Sequence, residues 1–251
     1  LELVEAFKGL RQIVGACVER RRREGRQSPD MLGMLMGLRD SAGRPAMSDS
    51  QLISEVMTTV VAGHETTAST LNWTWYLLSR HPQIERRVHA ELDTVAPAAS
   101  VALGDLPAAP LTRQVIEEAM RLYPAGWLMT RRAIEADQLG EYFVPAGTEI
   151  YIAPYFMQRH PRFWEDPDRF DPDRFGCERT HDRSQSMMMP FSAGPRNCIG
   201  EQFARIEMQI HIMTVARRLR LSYADPAPPT LDVGVNLRSK HDFIMQPELR
   251  G

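Results

Sequence analysis

The sequence predicts a mainly α-helical protein with a small β region. Three observations carry that reading. Long stretches place apolar residues at helical spacing, the longest over residues 52–78. Their ends carry boundary signals, with Ser48 and Gln51 in capping-box spacing and His81-Pro82 as a stop and restart. Between residues 133 and 152 the texture changes to short runs separated by the turns Leu139-Gly140 and Pro145-Ala146-Gly147.

Residues 1–24 are amphipathic and helical in period, and the run Arg20 to Arg23 reads as a solvated helix end. Residues 31–38 continue as a short apolar helix, and Gly43-Arg44-Pro45 is a break. Ser48 then opens the long helix, and Pro82 begins the next, which runs to about Thr94. Residues 95–110, rich in Ala, Pro and Gly, read as a loop, and residues 111–122 as a helix. Residues 159–190 repeat Pro, Asp and aromatic residues too irregularly for helix or sheet; within them Met187-Met188-Met189 reads as local packing. Residues 198–219 form the last helix, and the tail has strand candidates at 231–237 and 242–245. There are no internal repeats.

A composition of 43% hydrophobic and 25% charged residues suits an ordinary globular domain. The net charge of −2 supplies no attraction for nucleic acid. Cys17, Cys177 and Cys198 lack paired spacing, which argues against a disulfide framework and suits a reducing, cytoplasmic compartment. No apolar run is long enough to span a bilayer, and no signal peptide opens the chain.

The chemistry concentrates in three motifs. Residues 191–204 read FSAGPRNCIGEQFA, which places Phe191, Gly194, Arg196, Cys198 and Gly200 in the pattern FxxGxRxCxG. A lone cysteine after a Gly-Pro turn is more often a buried structural residue. All five positions together resemble the haem-binding loop of the cytochrome P450 superfamily, the haem-thiolate monooxygenases. Glycines at 194 and 200 allow close approach to a flat cofactor and turns that a side chain would block. Cys198 precedes the apolar run Ile199, Phe203, Ile206, Met208, which puts its sulfur at a helix N-terminus where an anion is favoured. By resemblance, Cys198 is the axial iron ligand, Arg196 pairs with a haem propionate, and Phe191 covers the sulfur.

The second motif is Ala62-Gly63-His64-Glu65-Thr66-Thr67 in the long helix. It resembles the family's oxygen-activation segment. Gly63, beside Ala62, leaves room for dioxygen, and Thr66 offers a hydroxyl that donates and accepts. Glu65 offers a carboxyl that passes protons inward, so Glu65 and Thr66 form a relay. His64 reads as structural or solvent-facing. Without the first motif this would equally be a helix with a polar notch, its threonines bonded back to the preceding turn.

The third motif is Glu118-Ala119-Met120-Arg121, an ExxR followed by Leu122-Tyr123-Pro124. Residues three apart share a helix face. Downstream, Pro172-Asp173-Arg174-Phe175 resembles the family's PERF element, with Asp where Glu is common, and implies a structural Glu118–Arg121–Arg174 cluster. Arg131-Arg132 are placed ahead of the strands; the resemblance assigns one to a second propionate, Arg132 by its position before Ala133, with Arg131 left open. Val60, Val61, Ala125, Trp127, Leu128, Met129 and the stretch Val235-Asn236-Leu237 resemble substrate-contacting segments, and their apolar character predicts a greasy pocket.

The resemblance runs in order through nearly all of the chain. It implies a single partial domain over residues 1–251, the C-terminal portion of the fold, with any membrane anchor belonging to an earlier segment. It also implies haem b (iron protoporphyrin IX), O2, a small apolar organic substrate, and electrons from NAD(P)H through a separate ferredoxin or flavin reductase. Two other readings fit the same motifs: a haem-thiolate enzyme that uses or rearranges peroxide, and a truncated, non-catalytic protein.

Overall fold

The computed structural model describes residues 2–25, 28–95, 100–176 and 187–250. Cys177 and the middle of the irregular stretch lie outside the described residues. The chain divides into two compact units, Leu1–Glu65 and Thr66–Gly251, with the division inside one continuous helix.

The first unit holds α1 (Glu2–Glu24), α2 (Met31–Gly37) and the start of α3 (Asp49–Arg80). Val14, Val18 and Leu52 are its buried apolar residues. The capping box forms: Ser48 Oγ accepts from the Gln51 N–H at 3.3 Å, and Gln51 Oε1 accepts from the Ser48 N–H at 2.9 Å. The arginine run is more than a solvated helix end. Arg21 grips Asp30 through two bonds of 2.9 and 2.8 Å, and Arg22 grips Asp49 through two of 2.5 and 2.7 Å. Asp30 also caps α2 by accepting from the Gly33 N–H at 2.8 Å. The Arg21 guanidinium and that N–H hold the Asp30 carboxyl well below the usual range. One turn of α1 thus ties down the starts of the next two helices, a function that a charge run in sequence does not reveal.

The second unit is built on four helices: the rest of α3, α4 (Pro82–Val95), α5 (Pro110–Leu122) and α7 (Glu201–Ala216). α4 buries Ile84, Val88 and Leu92 at spacing four. Val115 to Leu122 of α5 is buried on every side, so this helix is the centre of the core. α7 buries Met208, Ile212, Met213 and Ala216, while Ile199 and Phe203 at its leading end are exposed.

Part of the 95–110 loop is a 3₁₀-helix, Leu103–Ala108. The strands pair as antiparallel couples: β1 (Met129–Arg132) with β4 (Glu149–Ile152), and β2 (Asp137–Leu139) with β3 (Tyr142–Val144). A short helix, α6 (Pro154–Met157), follows β4. Met188 packs against the core, as the reading of the methionine run expected.

Three tail boundaries differ from the sequence reading. α7 starts at Glu201 and stops at Ala216, and residues 219–223 are a strand, β5 (Leu219–Tyr223). Arg250 explains the stop, because its Nη1 donates to the Ala216 and Arg217 carbonyls at 2.9 and 3.3 Å, filling acceptors at the helix end. The 231–237 candidate is a hairpin, β6 (Leu231–Val233) and β7 (Leu237–Ser239), rather than one strand. The last strand, β8 (Met245–Leu249), begins where the candidate ended, because its register is set by β5, Leu219 facing Leu249. Among the described residues no helix is long and apolar enough to cross a membrane.

Candidate functional site

The cysteine loop enters from Met189 and leaves into α7. Its frame is backbone hydrogen bonding: Ser192 N–H to Met189 O at 3.1 Å, Asn197 N–H to Gly194 O at 3.0 Å, and Cys198 N–H to Phe191 O at 2.9 Å. Gly194 sits at φ +74°, a conformation that L side chains resist, so this glycine is required by the turn. Gly200 is different. Its φ of −86° suits any residue, but a Cβ there would lie 3.8 Å from the Cys198 sulfur. That is ordinary van der Waals contact, so neither the backbone nor the thiol requires glycine here.

Cys198 is exposed and in no disulfide. It lies two residues before Gly200, the N-cap of α7, so the expected helix-terminal placement is met at one remove. The Phe191 ring is half-buried against the core. Arg205 of α7 lies over that ring, its Cζ 4.8 Å from the centroid. Arg205 is itself ion-paired with Glu117 of α5 and with Glu201, whose other oxygen accepts from Asn197 Nδ2 at 2.9 Å. Burial lowers the Arg205 pKa. Sequence reasoning missed Arg205; a single arginine on a helix carries no signal until its neighbours are known.

Two cations flank the loop. Arg196 is exposed and forms no ion pair among the described residues. The strand β1 begins at Met129, so Arg131 and Arg132 lie within it rather than ahead of the strands. Alternation sends them to opposite sides. Arg131 Nη2 reaches Ser192 Oγ in the cysteine loop at 3.2 Å, whereas Arg132 Nε donates to the Gly147 carbonyl at 3.3 Å. The side chain that addresses the cysteine loop is thus Arg131.

Behind the loop, the expected cluster assembles. Glu118 and Arg121 are both 0% exposed and joined by bonds of 2.6 and 2.8 Å. Glu118 Oε1 also accepts from the Asp171 N–H at 2.9 Å. Arg174 Nε approaches that carboxylate at 3.4 Å, in ion-pair range without a hydrogen bond's alignment. Asp173 faces outward to Arg87 through two bonds of 2.9 and 2.7 Å. Burial pushes the Glu118 carboxyl up, and Arg121 opposes that. A further residue, Gln158, is fully buried and joins cluster to loop: Nε2 donates to the Met120 and Arg121 carbonyls at 3.1 and 3.0 Å, and Oε1 accepts from the Met189 N–H at 3.0 Å. Nothing in the sequence marks Gln158.

The segment after α5 meets the β6–β7 turn. Trp127 Nε1 donates to Gly234 O at 2.9 Å, and the Leu237 N–H donates to Ala125 O at 3.0 Å. Ser69 of α3 holds Leu237 O at 2.8 Å. The candidates Ala125, Trp127, Leu128 and Asn236 are therefore half-buried neighbours around one junction. On α3, Ala62, Gly63 and His64 are exposed, and Glu65 and Thr66 are half-buried. Val61 is 45% exposed within the first unit. Beyond the motif, Thr70 and Thr74 bond back to the Thr66 and Thr70 carbonyls, at 3.1 and 2.7 Å.

Among the described residues no group of three or more His, Cys, Asp or Glu side chains could hold a metal ion. An accessible thiol on a loop with Arg196 and Arg131, neither ion-paired among the described residues, would suit a metal group that brings its own further ligands and its own carboxylates.

The cytochrome P450 family profile matches residues 2–245. The chain belongs to the cytochrome P450 family. It is 38% identical over 221 residues to a cyclooctat-9-en-7-ol 5-monooxygenase of Streptomyces melanosporofaciens, an alignment covering 88% of this chain and 48% of that protein. It is 38% identical over 213 residues to a pentalenene oxygenase of Streptomyces avermitilis, covering 84% and 47%. Its fold superposes on the haem domain of cytochrome P450DA with a TM-score of 0.89 at 27% identity, over 96% of this chain and 54% of that one. The chain spans about half the length of the curated relatives it matches. Membership in the family implies a haem cofactor.

Proposed function

We propose that the chain is the haem-ligating portion of a monooxygenase, with Cys198 as the single protein ligand to iron. The observation that carries this is the cysteine loop. It presents an accessible thiol from a backbone frame pinned at Phe191 O, with Arg131 and Arg196 beside it and no carboxylate paired to either among the described residues. Haem b, when bound, supplies the iron centre at which one oxygen atom of O2 enters an organic substrate.

The chain's own residues have separable duties. Cys198 donates thiolate density to the metal. Arg196 and Arg131 hold the two propionates; Arg131 takes the place first given to Arg132 because it faces the loop. Thr66 donates and accepts at its hydroxyl while Glu65 carries protons to it from water. Ala62 and Gly63 leave α3 open beside that pair. The junction of Ala125, Trp127, Leu128 and Asn236 forms an apolar substrate wall, and Val61 of the first unit is a separate substrate-contact candidate. The names of the two Streptomyces relatives denote largely hydrocarbon substrates, which supports an apolar organic substrate here. Electrons come from NAD(P)H through a separate ferredoxin or flavin reductase.

The deciding experiment is the absorption spectrum of the haem-reconstituted chain, reduced and exposed to carbon monoxide. A strongly red-shifted Soret band that disappears in Cys198→Ala is expected. The same red-shifted band in that variant would refute the ligand assignment.

A further inference from the structure

Within the second unit, a cavity of about 390 Å³ opens between the C-terminal ends of α3 and α5 and the turn after α6. None of its lining residues belongs to the cysteine loop or to the junction around Trp127. Its volume falls in the range of small-molecule sites.

The charges inside it do not balance. Arg80 and Arg159 line it, against one carboxylate, Asp168. Arg80 forms no ion pair among the described residues. The Arg159 side chain is only 15% exposed, and its one carboxylate contact is Nε to Asp168 at 3.3 Å, a partner 85% exposed to water. Nη1 of Arg159 is buried with no hydrogen-bond partner among the described residues. A guanidinium so enclosed normally has its donors filled, because desolvating it without partners is costly. Burial accordingly lowers its pKa.

The walls are aromatic and fixed. The Arg159 Cζ lies 4.2 Å from the Tyr155 ring centroid and 5.3 Å from that of Tyr123. Tyr123 in turn stacks on the buried Trp73 at 3.9 Å with an interplanar angle of 4°. Leu77, Leu122 and Leu231 complete an apolar floor.

We propose that this cavity is a binding site for a small aromatic anion, a carboxylate or phosphate monoester on a ring. Its charged end meets Arg80 and Arg159, and its ring lies against the tyrosines. A neutral ligand would leave the excess cation unanswered, and a cation would meet both arginines.

The test titrates the full 251-residue chain with benzoate and with phenyl phosphate, followed by calorimetry and tyrosine fluorescence, with benzylamine as the charge-reversed control. Saturable binding of at least one anion, no binding of benzylamine, and about tenfold weaker anion binding in Arg80→Gln are expected, the loss of one charged contact. Arg80 is exposed and outside the core, so that variant folds and remains informative even if Arg159→Gln does not. Absence of saturable binding by both anions would overturn the proposal. So would equal binding of benzylamine, or an unchanged affinity in Arg80→Gln. Whichever anion binds more tightly identifies the charged group the site prefers.

Discussion

The ExxR cluster and the cysteine loop use the same kinds of residues to opposite ends. In the cluster, Glu118 accepts from Arg121 twice and from the Asp171 N–H, and Arg121 also donates to the carbonyls of Gln158, Pro167 and Arg169. Both side chains are fully buried, and the network is closed. In the loop, the backbone is pinned and Ser192 and Asn197 are bonded, but Cys198 and Arg196 stand in solvent. The contrast separates frame from site. A buried ion pair with every donor directed is rigid and has nothing left to bind, while an exposed thiol and cations on a pinned backbone have their chemistry free for a ligand. Gln158 links the two, holding the end of α5 with its amide nitrogen and the start of the loop with its amide oxygen.

The comparison breaks most visibly in the frame. Glu118→Ala leaves a buried guanidinium without its carboxylate and is expected to cost roughly 3–5 kcal/mol, read by urea denaturation. A loss below about 1 kcal/mol would mean that the cluster is not closed as described. In the loop the effect shifts from stability to reactivity. Arg205→Met removes the cation over Phe191 and is expected to lower stability by only about 1 kcal/mol. It should nonetheless speed alkylation of Cys198 several-fold in the haem-free chain, with peptide mass analysis separating it from Cys17 and Cys177. An unchanged rate would show that Arg205 does not hold the loop.

The smallest effect is set by pH. Burial, then Arg250, hold His89 down to about 4 from an ordinary 6.5, with Asp93 opposing and Arg220 adding to the depression. The unfolded chain therefore takes up the proton first. The stability contributed by neutral His89 is present above about 6.5 and is lost as pH falls from there toward 4. His89→Gln should flatten that part of a melting-temperature profile by a few degrees. An identical slope in the variant would remove His89 from the account.

Much of this was legible in sequence because it is local. The capping box, the Pro82 start of α4 and the ExxR pair depend on residues within four positions of one another, so spacing suffices. The cysteine loop was legible because its five positions lie within ten residues of chain. What stayed hidden depends on partners far along the chain. The C-terminal end of α7 was read three residues too far because its last carbonyls are met by Arg250, 34 residues from Ala216. The choice between Arg131 and Arg132 turned on a hydrogen bond to Ser192, 61 residues away.

The sequence by itself determined the helix order and the family motifs, since propensity, capping and motif spacing act over a few bonds. Only the tertiary structure decided which arginine faces the loop, which polar residues close the frame, and that Arg159 lies half-buried against two tyrosines with a donor unfilled among the described residues. Those outcomes depend on burial and on side-chain direction, which arise only when distant segments pack and remove water between them.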